Sequence, residues 1–158
     1  LHTNYRHKAF LRINLIHPNS LVWYIILMAD SNKLILIIDD DPDFREIMAT
    51  KLKSSGFKVE QASDGVSGLE IAKKIKPNLV LLDVRMPRMS GVQTLAKIKS
   101  DPDISSLKVI FLTNLGEVEQ EDAWVDDRFA KDAGALGHIK KTDDLDKIVT
   151  RVRQELSS

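Results

Sequence analysis

The chain contains no cysteine. That excludes a disulfide framework, a thiolate metal site and a cysteine nucleophile, and it fits a reducing compartment such as the cytoplasm. Charge excess is missing too, since Lys plus Arg number 23 and Asp plus Glu number 23. A net charge of zero removes the bulk electrostatic case for direct binding of nucleic acid or of an anionic membrane surface. No membrane-spanning run is present either. The apolar stretch from Leu21 to Ala29 falls well short of the ~20 residues a spanning helix needs. Internal repeats and low-complexity tracts are also lacking.

What remains is a globular pattern. A length of 158 residues accommodates one well-buried domain, and an apolar fraction of 43% argues against disorder. The opening residues differ from the rest. Arg6, Lys8 and Arg12 precede the Leu21–Ala29 run in superficial imitation of a signal peptide, yet Ala29, Asp30 and Ser31 offer no small-x-small cleavage site. The chain starts with Leu1, while Met28 stands just before a clean globular pattern. Residues 1–30 are therefore read as an upstream extension, or a mis-assigned start, without a part in function. An export or anchoring signal and a structural arm are the alternatives. Residues 31–158 are read as the functional domain, with no linker or second domain after it.

From residue 33 onward, strand-length apolar runs alternate with segments of helical period. Leu34 to Ile38, Leu79 to Leu82 and Val109 to Leu112 are unbroken, as in strands of a parallel sheet covered on both faces. Phe57 to Gln61 and Gly137 to Lys140 are weaker strand candidates. Asp41 followed by Pro42 marks a helix start, Gly56 a stop, and Phe44, Ile47, Met48 and Leu52 form the buried stripe between them. Further stripes run through Val66, Leu69, Ala72 and Ile75, through Val92, Leu95, Ala96 and Ile98 behind Gly91, and through Leu145, Ile148, Val149, Val152 and Leu156. A β–α order repeated about five times predicts an α/β fold, a doubly wound five-stranded parallel sheet flanked by helices.

Ligands of such sheets gather at the carboxyl ends of the strands. Strand one runs into Asp39, Asp40 and Asp41, strand three into Asp83, strand four into Thr113 and Asn114, and strand five into Lys141. Capping the following helix needs one aspartate, and Asp41 serves; Asp39 and Asp40 are left over. Three carboxylates placed together raise one another's pKa unless a cation sits among them, and oxygen ligands without His or Cys suit Mg²⁺. Mg²⁺ also partners phosphoryl groups, and a carboxylate can itself be the nucleophile, forming an acyl phosphate. Asp83 is then the attacking carboxylate, while Asp39 and Asp40 hold the metal. Lys141 neutralises phosphoryl oxygens, and the Thr113 hydroxyl hydrogen-bonds to one of them.

The stretch from about residue 33 to the end resembles the response-regulator receiver domain (CheY-like) of two-component signal transduction. The resemblance is carried by IIDDDP (37–42), ASDG (62–65), LLDVRMPRMSG (81–91), FLTN (111–114) and AGALGHIKK (133–141). It implies a flavodoxin-like sheet of receiver type, with Asp83 as phospho-acceptor, Asp39 and Asp40 as the metal-binding acidic pair, and a backbone carbonyl of Arg85 as a further Mg²⁺ ligand. It gives Thr113 and Lys141 the sensing and stabilising of the phosphoryl group. The implied function is a stand-alone phosphorelay receiver in the cytoplasm, phosphorylated by a histidine kinase or phosphotransfer protein and signalling to an unknown protein target. No enzymatic turnover beyond self-phosphorylation and self-dephosphorylation is implied. The departures fall on the reporting side. Thr142 replaces the proline that usually follows the lysine, which predicts a looser turn; His138 stands at a position usually Tyr or Phe, and Asn114 where a small residue often lies. The segment 115–131 is longer than usual and strongly acidic.

Three other readings share parts of this pattern. A haloacid-dehalogenase-like phosphatase also uses a nucleophilic Asp with Mg²⁺, but it places a second acid two residues beyond, where this chain has Arg85. A flavodoxin-like cofactor binder needs a Ser/Thr/Gly-rich phosphate cradle after strand one, where this chain has three aspartates. A receiver-shaped binding module independent of phosphate is the last.

Overall fold

The computed structural model describes residues 21–30, 32–114 and 127–157. Eleven elements follow in order: α1 (Leu21–Asp30), β1 (Leu34–Ile38), α2 (Pro42–Ser54), β2 (Lys58–Ala62), α3 (Gly65–Ile75), β3 (Leu79–Asp83), α4 (Gly91–Ser100), β4 (Val109–Thr113), α5 (Asp127–Asp132), β5 (His138–Lys140) and α6 (Leu145–Ser157). The five strands form one sheet in the order β2-β1-β3-β4-β5, and every pairing is parallel. This is the doubly wound sheet expected from the alternation of apolar runs and helical stripes.

The unbroken aliphatic runs now have their reason. Successive residues of a strand point to opposite faces, so a sheet covered on both sides asks for apolar residues at every position. Ile35, Ile37, Leu79, Leu81, Ile110 and Leu112 face one core, built with Met48, Ala49 and Leu52 of α2 and Ile148, Val149 and Val152 of α6. Leu36, Ile38, Val80, Leu82, Val109 and Phe111 face the other, with Ala72 of α3, Leu95 and Ile98 of α4 and Ala130 of α5. The edge strand β2 alternates instead, exposing Lys58 and Glu60. Phe57, placed by its sequence inside that strand, precedes it and is buried in the core of α2.

The starts of α2, α3, α4 and α6 are each set by a local acceptor. Asp41 Oδ1 accepts the N–H groups of Asp43 at 3.0 Å and Phe44 at 3.2 Å. Asp64 does the same for Val66 and Ser67 at the head of α3. Ser90 and Gln93 close a reciprocal capping box on α4, and Asp144 accepts from Asp146 and Lys147 at α6. These acceptors satisfy N–H groups that a helix cannot pair internally.

Three predicted core positions are corrected. Ile47 is 54% exposed and Val66 48% exposed, and Ala96 is exposed as well. Helical period identifies a stripe but not which of its margins meets the sheet. Helix α3 lies so close to β1 that it buries Gly65, Gly68 and Ala72, and a Cβ on Gly68 would come within 2.5 Å of Ile38 Cδ1. On α4, Thr94 is buried where Ala96 is not.

Residues 21–30, read as part of an extension, form the helix α1. Its last residue ties it to the domain: Asp30 Oδ2 accepts from Arg153 Nε of α6 at 2.6 Å. Leu21, Val22, Ile25 and Met28 are exposed on it. Among the described residues no helix is long and apolar enough to cross a membrane. The acidic positions from Glu117 to Asp126, with Trp124, lie outside the described residues.

The difference between stripe and margin is measurable. Ile47→Gln is expected to leave the unfolding free energy within about 0.5 kcal/mol of the parent, whereas Met48→Ala, one residue on, is expected to cost about 2–5 kcal/mol in urea titrations.

Candidate functional site

The carboxyl ends of the strands converge as the fold rule requires. Asp39 follows β1, Asp83 closes β3, Thr113 closes β4, and Lys141 follows β5. Asp39, Asp83 and Thr113 are all buried. The Lys141 side chain is 7% exposed and reaches both acids, with Nζ at 2.7 Å from Asp39 Oδ2 and 3.2 Å from Asp83 Oδ2. Lys140 points to solvent, so Lys141 is the inward lysine of the pair. Asp40 is exposed at the rim, yet it offers an oxygen that lies within 4.8 Å of oxygens from Asp39 and Asp83.

Backbone contacts pin these side chains. Asp39 Oδ1 accepts the Asp41 N–H at 3.0 Å, so the acidic loop folds back on itself. The Arg45 guanidinium, from the first turns of α2, donates to the Asp39 carbonyl at 2.6 Å. Lys141 N–H donates to the Thr113 carbonyl at 2.8 Å, and the Thr113 hydroxyl donates to the Ile139 carbonyl at 3.4 Å, so β4 and β5 fix each other's ends. The turn after Lys141 holds together without proline. Asp143 Oδ2 accepts the Lys140 N–H at 3.2 Å, and the Asp143 N–H donates to the Lys140 carbonyl at 2.9 Å. Thr142 and Asn114 are exposed. Arg85 sends its side chain outward and turns its backbone N–H toward Asp83 Oδ1 at a long 3.4 Å.

Gly91 is a necessity of this corner. Its N–H donates to the Val84 carbonyl at 2.9 Å, and a Cβ there would stand 2.1 Å from the carbonyl oxygen of Asp83. Any side chain would push α4 off the end of β3. On the same loop Arg88 holds φ at +68°, and its guanidinium lies 3.4 Å from Asp64 across the mouth of α3.

Electrostatically the cluster is unbalanced. Three carboxylates, when ionised, face one ammonium. Burial, and next the charge of Asp39, push the Asp83 carboxyl up to about 7, with Lys141 offsetting part of the rise. Burial likewise raises Asp39 against the pull of Lys141. For Lys141, burial alone would lower the pKa, but its contact with Asp39 and the field of Asp83 reverse that and leave it raised. Asp39 Oδ2 sits beside the ammonium without a well-directed hydrogen bond and is buried. A cluster of hard oxygen donors carrying excess negative charge fits a divalent cation of the Mg²⁺ type.

A family comparison decides what this arrangement belongs to. The response regulator receiver domain, as a family, matches residues 35–153. The chain belongs to that family. Sporulation initiation phosphotransferase F of Bacillus subtilis is 33% identical over 125 residues, which is 79% of this chain and 94% of that protein. The DNA-binding dual master transcriptional regulator RpaA of Synechocystis is 32% identical over 119 residues, 75% of this chain but 47% of that protein. The chain thus spans about half the length of some curated relatives and nearly all of another. Among solved structures, a putative response regulator from Chloroflexus aurantiacus superimposes with a TM-score of 0.70 at 25% identity, covering 80% of this chain and 98% of that one. A CheY-like receiver domain protein from Methanospirillum hungatei gives 0.67 at 28% identity, covering 79% and 94%.

Within this receiver domain the structure brings Asp39, Asp40, Asp83 and Lys141 together and sets Thr113 beside them on β4. The place of Phe44 beside Lys141 was not legible in the sequence, nor was the partner of His138. Phe44, read as core, lays its ring under Lys141 with Nζ 5.0 Å from the centroid. His138 pairs through Nδ1 with Asp127 Oδ1 at 2.9 Å, and the same oxygen accepts the His138 N–H at 3.2 Å. Neither contact leaves a local signal, since each joins residues from different elements.

The raised Asp83 has a thermodynamic sign. Its folded pKa of about 7 exceeds the ordinary 3.8, so folding favours the protonated form. That contribution is complete below the unfolded value and is lost as pH rises through about 7. In EDTA the receiver domain is therefore expected to lose stability between about pH 4 and 7, and Asp83→Asn to flatten this slope, gaining about 2 kcal/mol at the alkaline end in urea unfolding.

Proposed function

We propose that this receiver domain takes a phosphoryl group onto Asp83 from a histidine kinase or phosphotransfer protein, with Mg²⁺ held at Asp39, Asp40, Asp83 and the backbone carbonyl of Arg85. The single observation that carries the proposal is the buried Asp39–Lys141–Asp83 cluster, with Lys141 Nζ at 2.7 and 3.2 Å from the two carboxylates. Asp83 is the acid placed on a strand end with a cation beside it, which is what an attacking carboxylate requires. A carboxylate oxygen of Asp83 attacks phosphorus, and the bond from phosphorus to the donor nitrogen breaks, leaving an acyl phosphate. When bound, Mg²⁺ supplies charge neutralisation for the phosphoryl oxygens.

The protein's own groups do the rest. Lys141 leaves its ion pair with Asp83 to meet a phosphoryl oxygen, keeping charge-assisted contact throughout. Thr113 holds a hydroxyl at the end of β4, where among the described residues its bond is a long 3.4 Å one to the Ile139 carbonyl, so it is available to donate to the new group. The consequence is a shift between two arrangements of the surface around β4 and β5, read by a protein partner. Signalling through protein contact is supported by the near-complete match to a short relative, sporulation initiation phosphotransferase F. A cytoplasmic setting, shared with the donor kinase, goes with this reading, as does the absence of turnover beyond gain and loss of the phosphoryl group.

Acetyl phosphate with Mg²⁺ is expected to give an acid-stable, base-labile adduct of one phosphoryl group on the parent protein and none on Asp83→Asn. Lys141→Ala is expected to slow its formation by about 100-fold while leaving the far-ultraviolet circular dichroism unchanged. A parent protein that stays unmodified though folded would sink the proposal.

A further inference from the structure

Among the described residues the Lys141 ammonium meets two acids and one group that is not an acid. That group is the Phe44 ring, 5.0 Å from Nζ to its centroid. We propose that Phe44 is a positioning residue, its ring face fixing where the Lys141 ammonium stands for a phosphoryl group on Asp83. The proposal rests on the reading of Asp83 as acceptor and goes beyond it by assigning a role to a side chain outside the acidic cluster.

A lysine head on a four-carbon stem does not hold its own place. Here the backbone anchor of Lys141 is its N–H bond to Thr113, at the far end of that stem. The acids that restrain the head are the groups whose demands change in the reaction. Asp83 gives up a charged oxygen when it is phosphorylated, and Asp39 is a ligand that a cation would claim. The ring is indifferent to both events. An aromatic face attracts a cation through its quadrupole without neutralising it, so the ammonium keeps its full charge for an anionic oxygen.

The ring itself is firmly placed. Phe44 lies in the first turn of α2, and its N–H and that of Asp43 are both held by Asp41 Oδ1. Beside it, Arg45 grips the Asp39 carbonyl at 2.6 Å. The turn that delivers the ring is thus the turn that shapes the acidic loop, and one rigid piece orients both the acids and the surface under the lysine. Phe44 also packs against the core formed with α2 and α6. Filling that space is the simpler role, and any apolar side chain of similar size would serve it.

The two roles separate on replacing the ring while keeping apolar volume. Phe44→Leu and, as a second apolar variant, Phe44→Met remove the π face; Phe44→Tyr retains it. In the protein without metal or phosphoryl donor, the Lys141 ε-methylene protons are expected to be shifted upfield by the ring current in the parent and in Phe44→Tyr, and to lose that shift in Phe44→Leu. With acetyl phosphate and Mg²⁺, Phe44→Leu and Phe44→Met are expected to form the adduct about three- to tenfold more slowly, and Phe44→Tyr within about twofold of the parent. A small donor keeps any contact between Phe44 and a partner protein out of the measurement. Parent-like rates and unchanged Lys141 resonances in the apolar variants, with only the melting temperature altered, would overturn the proposal and leave Phe44 as core. A parent that shows the ring-current shift but forms no adduct would overturn the acceptor reading, and the positioning role with it.

Discussion

Two carboxylates and one ammonium, buried with the ammonium within 3.2 Å of each acid, are the constraint on which the end of the sheet is built. Such a cluster is costly to desolvate, and it persists only where the surrounding fold leaves no alternative. The parallel sheet provides that constraint. It delivers Asp39 and Asp83 from neighbouring central strands and brings Lys141 from the edge strand beyond β4. Strands β1 and β3 are secured by cores on both faces, so neither acid can retreat to water without unpacking a layer.

The imbalance within the cluster is its functional content. With one ammonium for the acids around it, Asp83 is held near neutrality in its titration, and the Asp39 oxygen remains imperfectly satisfied. A cluster of acids made this way could be better matched by an added cation than by its own residues. Stability has been conceded where binding is required, as is common for charged groups gathered at a cleft. The concession is local: Gly91 closes over the Asp83 carbonyl, Asp41 caps the next helix, and Arg45 clasps the acidic loop.

The framework was legible from the sequence for specific reasons. Unbroken runs such as Leu34 to Ile38 require burial on both sides, and Asp39, Asp40 and Asp83 stand out because each is an acid at the end of such a run with no capping duty. Asp41 with Pro42 announced its own helix. Legibility ended where the third dimension decides. Ile47 and Val66 share the period of buried positions, but how closely a helix approaches the sheet is set by partners such as Gly68 and Ile38 that lie in different elements. The choice between Lys140 and Lys141 depends on the turn that closes at Asp143. Thr142 predicted a looser turn, yet Asp143 supplies the missing restraint through a side chain. The ring of Phe44 under Lys141 and the grip of Asp127 on His138 are contacts between distant segments, invisible to period or motif.

The alternation in β2 carries a consequence of a different kind. An edge strand presents unpaired backbone groups that another sheet can copy, and a protein with zero net charge lacks the mutual repulsion that would keep such edges apart. Lys58 and Glu60 stand exposed on that edge, and Lys140 on the opposite edge strand. Charges placed at the margins of the sheet, rather than its total charge, therefore guard its edges, and neutralising them would favour pairing of the sheet from molecule to molecule.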